Sequence, residues 1–543
     1  MNKLFLFLTF LLSFNIFLFS QSSESELLDS ETTPLSDYKS TTSPEPFAKT
    51  ITSSSLKNHL SILASDEFEG RETGTEGNLK AAEYIAGEFK RMGIPPVENN
   101  SYFQEVAFNW SQWDDIGMTV NENRFRHLWE FISFPTRNND LAQLETNEVI
   151  FLGYGIDDDT YSDYKGMDVK DKVILIYKGE PVDKNGNSYL TKNSQLSDWA
   201  DNWERKVATA KKHGVKLVLI IESEIQKVLS ENRKLLIGPR LTLGDDASSY
   251  KNYANSCYIN TNVAKDIMGK KYKKVVKARK KTEKKGTPNS VSLKCNFKIQ
   301  QKKKERTLQG VNVLGYIEGT DENLKDELVI ITAHYDHLGK KGDDIYNGAD
   351  DNGSGTSTVI GIAEAFMDAK KKGVGPRRSV LTMLVTGEEK GLLGSKYYVE
   401  KPTFPLESSV VNINVDMVGR VDKKYVDNPN YVYVIGSNRL STELHEINES
   451  VNKEYTNLTL DYTYNAEDDP NRYYYRSDHY NFAEKGIPAI FYFNGTHKDY
   501  HRTSDTIEKI NFNKMEQIAQ LVFHTAWEVA NREKRIEVDV TNE

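Results

Sequence analysis

Along the chain the spacing of apolar residues changes character three times. In residues 77–92, Leu79, Ala82, Ile85, Ala86, Phe89 and Met92 recur every three or four positions and Gly93 follows as a stop, which predicts an amphipathic helix. From about 126 to 300 short apolar runs alternate with turns: VIFLGYGI at 149–156, KVILIYKG at 172–179 and VKLVLII at 215–221, the last after a helical pattern at 203–213. Beyond residue 302 the runs lengthen, with strands expected at 328–333, 379–385, 410–415 and 487–493 and helices at about 354–369 and 514–531. That alternation predicts an α/β fold: a mostly parallel mixed sheet flanked by helices, interrupted by a smaller β-rich unit at 126–300.

Between these segments lie stretches without periodicity. SDEFEGRETGTEG at 65–77 reads as a polar, glycine-punctuated loop. Residues 21–50, rich in Ser, Thr, Glu and Pro, read as a flexible lead-in, so folding is expected to start near Ile51. The main domain then divides into 51–125 and 301–534, with 535–543 as a tail.

The N-terminus adds a compartment. Met1-Asn2-Lys3 precedes a run from Leu4 to Phe19 that is apolar apart from Thr9, Ser13 and Asn15, and Ser20-Gln21 ends it. A basic start, an apolar stretch and a small residue before polar sequence predict a secretory signal peptide cleaved after Ser20, with an uncleaved signal anchor as the alternative. A secreted or periplasmic protein follows, without stable membrane insertion after cleavage. No Cys follows the apolar run, so a lipid anchor is not indicated.

Composition narrows the classes further. With 543 residues and 38% hydrophobic content the chain can bury two or three cores. The net charge of -9 comes from intermixed charges, which argues against a nucleic-acid partner. The lysine-rich stretch from Lys270 to Lys285 reads as a solvated helix face or loop before an interaction patch. Cys257 and Cys295 fit one disulfide or two buried free thiols.

Candidate chemistry gathers where strands of the α/β half end, the edge at which such sheets bind ligands. The strand at 328–333 leads to His334 and Asp336, that at 379–385 to Glu388-Glu389, that at 410–415 to Asp416, and that at 487–493 to a loop with His497, Asp499 and His501. Asp351 opens the helix beginning near Gly355. One such ending is an ordinary cap or turn. Four from one sheet, all imidazole or carboxylate, point to a divalent metal such as zinc in a hydrolytic site. Two imidazoles and three carboxylates, one able to bridge, suit two ions and leave one member of the Glu388-Glu389 pair free as a base.

These motifs carry a resemblance. AHYDH at 333–337, NGADDNGSG at 347–355, TGEEKGLLGS at 386–395, NVDMVGR at 414–420 and YHRTSDT at 500–506 are similar to those of the co-catalytic zinc exopeptidase family, the M-twenty-eight peptidases. DEFEGRETGTEG at 66–77 resembles the segment that opens the catalytic domain in bacterial members, and GYGI at 153–156 with DYKGMDVKDKVILIYKGEP at 163–181 resembles an inserted protease-associated domain. The resemblance implies a zinc-exopeptidase fold of the phosphorylase/hydrolase-like kind and two Zn²⁺ ions. Asp351 would bridge them, His334 and Asp416 would complete one, and Glu389 and His501 the other, with Glu388 as general base. Asp351 is preferred to Asp350 because the family's bridging carboxylate lies three residues before the Ser of the SG pair, here Ser354. The link from Asp351 to Asn352 would then be the peptide that is cis in known members.

Asp336 is expected to orient His334, and Asp505 to orient His501. His337 reads as structural or supporting rather than as a ligand. His479 reads as near the substrate or as a satisfied core residue. His497 competes with His501, which alone has the HxTSDT context. Tyr473 to Tyr475, between Arg472 and Arg476, read as pocket wall or as ordinary packing. The activity implied is aminopeptidase action on peptide substrates. The alternatives are a carboxypeptidase or dipeptidase, for which Arg420, Arg472 and Arg476 offer carboxylate partners, and a non-catalytic receptor-like binding protein.

Overall fold

A computed structural model describes residues 43–97, 100–244 and 251–540. The proposed signal peptide and most of the lead-in therefore lie outside the described residues. The short helix Glu45–Ala48 already belongs to the fold, because Phe47 is buried and stacks on Trp527 at 5.8 Å between centroids. The chain thus packs several residues ahead of the expected start at Ile51.

Four of the predicted strands form the centre of the main sheet. Leu328–His334 lies between Ser379–Val385 and Ser409–Val415, parallel to both, and Ala489–Phe493 joins the far side of Ser409–Val415, also parallel. Antiparallel strands flank this group: Tyr431–Ile435 beside Ala489–Phe493, and the end of Ser290–Ile317 beside Ser379–Val385. The sheet is mixed, as the pattern predicted.

Each central strand is buried along its length because helices cover both faces. Val329, Ile331 and Ala333 face one core, built with Leu56, Ile85, Val359 and Val522 from the helices Ser53–Leu63, Glu76–Met92, Gly355–Lys371 and Phe512–Asn531. The alternate residues Leu328 and Ile330 face the other, with Tyr398 and Phe482. The period of two sends successive side chains to opposite helix layers.

One strand runs across residue 300. Ser290–Ile317 is a single strand of 28 residues, paired antiparallel with Phe103–Val120 from Phe103↔Val313 to Val120↔Phe297. It leaves the main sheet and continues the same ladder through Leu141–Leu152, Val173–Tyr177, Leu217–Ile221 and Asn255–Ile259. Two long strands lead from the main sheet into residues 126–300 and back. The alternation was there to read: Val291, Leu293, Cys295, Phe297 and Ile299 point inward between polar residues.

Cys257 and Cys295 are both buried free thiols in this core. The lysine-rich stretch forms the helix Tyr272–Lys285, which buries Val275 and Thr282 and leaves most of its lysines in solvent. Asp163 holds the GYGI turn by accepting the backbone N–H groups of Tyr154 and Ile156 at 2.9 and 3.2 Å. Among the described residues no helix is long and apolar enough to cross a membrane.

Candidate metal centre

His334 is the last residue of its strand, and Asp416 follows directly on Ser409–Val415, so neighbouring parallel strands bring the two together. His334 Nε2 lies 3.4 Å from Asp416 Oδ1, 3.5 Å from Asp351 Oδ1 and 3.8 Å from Glu388 Oε2. The other oxygen of Asp351 faces a second group: Asp351 Oδ2 is 3.0 Å from His501 Nε2, which lies 3.2 Å from Glu389 Oε1. One carboxylate therefore serves two clusters, one oxygen to each.

The loops that deliver these groups are tied to one another. The Asp351–Asn352 peptide is cis. Asn352 Nδ2 donates to the carbonyl of Val415 at 3.0 Å, and its Oδ1 accepts the Met417 N–H at 3.1 Å, which fastens the Asp351 loop to the Asp416 loop. Asp350 turns the other way: its Oδ1 accepts the Gly419 N–H at 2.7 Å, and its Oδ2 lies 3.2 Å from His497 Nε2. The pair that competed for ligand places in the sequence, Asp350 and His497, is thus engaged with each other outside the cluster.

Two supporting residues act differently from expectation. Asp505 makes no hydrogen bond to His501 among the described residues; its Oδ2 accepts the backbone N–H groups of Asp350 and Asp351 at 3.0 and 3.2 Å, so it fixes Asp351 through the main chain. The Nδ1 of His334 faces the backbone carbonyl of Asp336 at 3.1 Å, with the carboxylate at 3.8 Å. The Asp336 side chain is occupied elsewhere, by the Glu388 N–H and the Thr73 hydroxyl. A carboxylate two residues from a histidine suggests that it orients the ring, but extended backbone turns the intervening residues so that the carbonyl arrives first.

His337 also lies where sequence reasoning did not put it. Its Nδ1 is 2.8 Å from Glu389 Oε1 and 3.8 Å from Asp351 Oδ2.

The region from 65 to 77, expected as a loop, contains the 3₁₀ segment Asp66–Arg71 and buries Arg71. Arg71 donates to the carbonyls of Tyr335, Leu63, Asn347 and Gly348 at 2.5 to 2.9 Å, pinning the loops that follow His334 and precede Asp351. Burial lowers its guanidinium to about 10. Ser477 donates to Asp416 Oδ2 at 2.7 Å and is itself held by Asn414. In SDHY at 477–480 the serine, not the histidine, touches the site; His479 is stacked on Phe491 at 4.8 Å, and burial lowers it to about 3.

A cavity opens over His334, Asp351, Glu388, Asp416 and His501. Its walls are Met417, Phe491, Phe493, Tyr473 and Tyr500, with Arg476 among them. Tyr473 and Arg476 come from the aromatic run, while Arg420 is engaged with Asp499 at 2.7 Å. Met417 lies in NVDMVGR and Tyr500 opens YHRTSDT, whereas Phe491 and Phe493 sit in the strand Ala489–Phe493 and carry no motif.

Charge in the site is unbalanced toward the negative. Burial, with Glu389 and Asp416 adding, holds the Glu388 carboxyl well above the usual carboxylate range against the pull of His334. Burial opposes ionisation of Glu389 too, yet His337 and His501 hold it well below that range. Burial disfavours the His501 cation, but Asp351 and Glu389 raise it to about 9. Two adjacent glutamates are thereby driven apart, Glu388 toward a proton carrier and Glu389 toward a permanent anion. Buried Asp351 Oδ2, Asp416 Oδ1 and Glu389 Oε1 make no hydrogen bond among the described residues. Unpartnered buried carboxylate oxygens around imidazoles, without thiolate, fit a pair of divalent cations.

Fold and site together define a class: an α/β protein with a carboxylate–imidazole centre at the carboxyl ends of its parallel strands. Within that class, residues 312–526 match the model of Peptidase family M28. It is 29% identical over 222 residues to Aminopeptidase YwaD of Bacillus subtilis, covering 39% of this chain and 44% of that protein. To a probable leucine aminopeptidase of Trichophyton verrucosum it is 30% identical over 212 residues, covering 38% and 55%. The chain thus spans about half the length of these relatives. The fold is similar to that of an aminopeptidase from Aneurinibacillus sp. strain AM-1, with a TM-score of 0.51 at 17% identity over 92% of this chain and 99% of the other.

Proposed function

We propose that the protein is a secreted di-zinc aminopeptidase that removes N-terminal residues from peptides, with residues 126–300 as a protease-associated domain. The observation that carries the two-metal reading is the division of Asp351, whose Oδ1 faces His334 and Oδ2 faces His501. His334 and Asp416 would hold one ion, Glu389 and His501 the other, and Asp351 both. Bound there, such ions would supply Lewis acidity toward the scissile carbonyl and lower the pKa of a water in the site.

The chain's own groups do the rest. Glu388 accepts a proton from the attacking water at its carboxylate and returns it to the leaving amine, a role suited to a carboxyl raised by burial. Asp336 fixes the Glu388 backbone, and Asp505 fixes that of Asp351. Met417, Phe491 and Phe493 exclude water and receive an apolar side chain. The names of two relatives, Aminopeptidase YwaD and a probable leucine aminopeptidase, favour an amino end.

Arg476 in the cavity wall favours a second reading, action at a terminal carboxylate. A panel of peptides with free or blocked termini separates the two. Cleavage only of peptides with a free N-terminus supports the aminopeptidase, cleavage of N-blocked peptides with a free C-terminus supports the alternative, and cleavage of neither by zinc-loaded protein defeats both.

A further inference from the structure

We propose that His337 is a metal ligand, joining Asp351, Glu389 and His501 at the second metal position through its Nδ1. This rests on the two-metal reading above and adds to it a residue that the five-ligand set leaves out.

Position comes first. The Nδ1 atom lies 2.8 Å from Glu389 Oε1 and 3.8 Å from Asp351 Oδ2, and the donor atoms of His337, Asp351 and Glu389 all fall within 4.8 Å of one another. The ring stands beside that of His501, 5.7 Å between centroids and at 70°, so the two imidazoles approach Glu389 from different directions. That is how donors converge on one point rather than stack on each other.

The alternative role for a buried histidine is a hydrogen bond that orients a neighbour. His337 is fully buried, its Nε2 makes no hydrogen bond among the described residues, and its Nδ1 meets only the carboxylates of Glu389 and Asp351. A ring nitrogen that faces two carboxylates, one of them shared with the neighbouring cluster, is placed where a cation would join all three, and a buried polar atom is costly unless such a partner takes it up.

The ring is also held in place. The His337 N–H donates to the carbonyl of Arg71 at 3.2 Å, and Gly348 packs against the imidazole face. A Cβ on Gly348 would stand 2.5 Å from His337 Cδ2, and the residue has φ +55°, so glycine is required both for the turn and for the ring's place. The same turn leads into Asp351, which sets the bridging carboxylate and the extra imidazole on one frame.

Cobalt(II)-loaded full-length protein gives the test. Imidazoles bound to Co²⁺ show exchangeable ring N–H proton resonances shifted far outside the ordinary NMR range, and His334, His501 and His337 should give three. His337→Asn and His337→Phe should each lose one resonance and release the second Zn²⁺ to a chelator at roughly 10- to 100-fold lower chelator concentration, with the first unaffected. Two shifted resonances in the wild type, or release of the second ion unchanged in a folded variant, overturns the inference while leaving two metals in place. A wild type that binds fewer than two ions per chain instead overturns the two-metal reading, and the role of His337 with it. The wild-type resonance count decides the matter even if neither variant folds.

Discussion

Asp336 Oδ1 accepts the backbone N–H of Glu388 at 3.1 Å, across the gap between two parallel strand ends. The other carboxylate oxygen accepts the Thr73 hydroxyl at 2.8 Å, so one buried side chain locks the proposed base to the chain segment before residue 76. Asp336→Ala leaves the Glu388 N–H without its acceptor and frees the loop to shift. We expect kcat to fall on the order of 10²-fold with intact circular dichroism, the scale of loss from a displacement of about 1 Å. Asp336→Asn should lose less, because an amide oxygen still serves the N–H and the Thr73 hydroxyl can turn to accept. Full kcat in the alanine variant would show that this contact does not position the base.

Glu388→Gln removes proton transfer while keeping the size of the side chain. Activity should drop by roughly 10² to 10⁴-fold at unchanged metal content, measured by elemental analysis of the same preparation. Retention of activity in the metal-loaded variant excludes Glu388 as the base.

Arg71→Met should be costly to the fold itself. Its guanidinium satisfies four buried carbonyls, and an unpaired buried polar group costs about 1–3 kcal/mol. Relaxation and water entry offset part of the sum, so we expect a loss of about 3 kcal/mol or more by urea denaturation. A loss below about 1 kcal/mol would mean that the loops are held by other contacts.

Stability should depend on acid through His524. The ring is buried and stacked on Tyr455 at 3.9 Å, and burial lowers it from 6.5 to about 4. The unfolded chain therefore takes up the proton first as pH falls. The contribution from neutral His524 is fully present above about pH 6.5 and is lost on descent to about pH 4, at up to about 1.4 kcal/mol per pH unit. Below that the two states are protonated alike and the slope ends. Urea denaturation from pH 7 to pH 4 should show a shallower fall in His524→Phe than in the wild type, and identical slopes would remove His524 from the account.

Chelation should lower the melting temperature by several degrees, and Zn²⁺ should restore it. Ligand-linked stabilisation predicts this, since the gathered carboxylates of Asp351, Glu388, Glu389 and Asp416 repel one another without cations. A melting temperature indifferent to chelator in protein shown to have lost its metal contradicts a structural part for the ions.

Much of this was legible beforehand. Apolar runs set the strands Leu328–His334 and Ala489–Phe493, and the switch to helical spacing set Gly355–Lys371, because burial on both faces demands uninterrupted apolar sequence. The polar residues ending those strands declared the chemistry, since a parallel sheet gathers its carboxyl ends on one edge. What remained open was which atom meets which. Asp350 and Asp351 are neighbours of identical chemistry, and only the turn through Gly348 and Asn352 sends one toward Gly419 and His497 and the other into the cluster. His337 and Asp505 are equally undecided in one dimension: the first has its ring set by Gly348, the second accepts from the main chain of 350–351. Arg71 shows the limit most plainly, because arginine is ordinarily a surface residue, and its burial depends on four carbonyls supplied by residues 63, 335, 347 and 348. Local pattern reports which side chains must leave water; which polar atoms then meet is decided by contacts hundreds of residues apart, and only the folded chain brings those together.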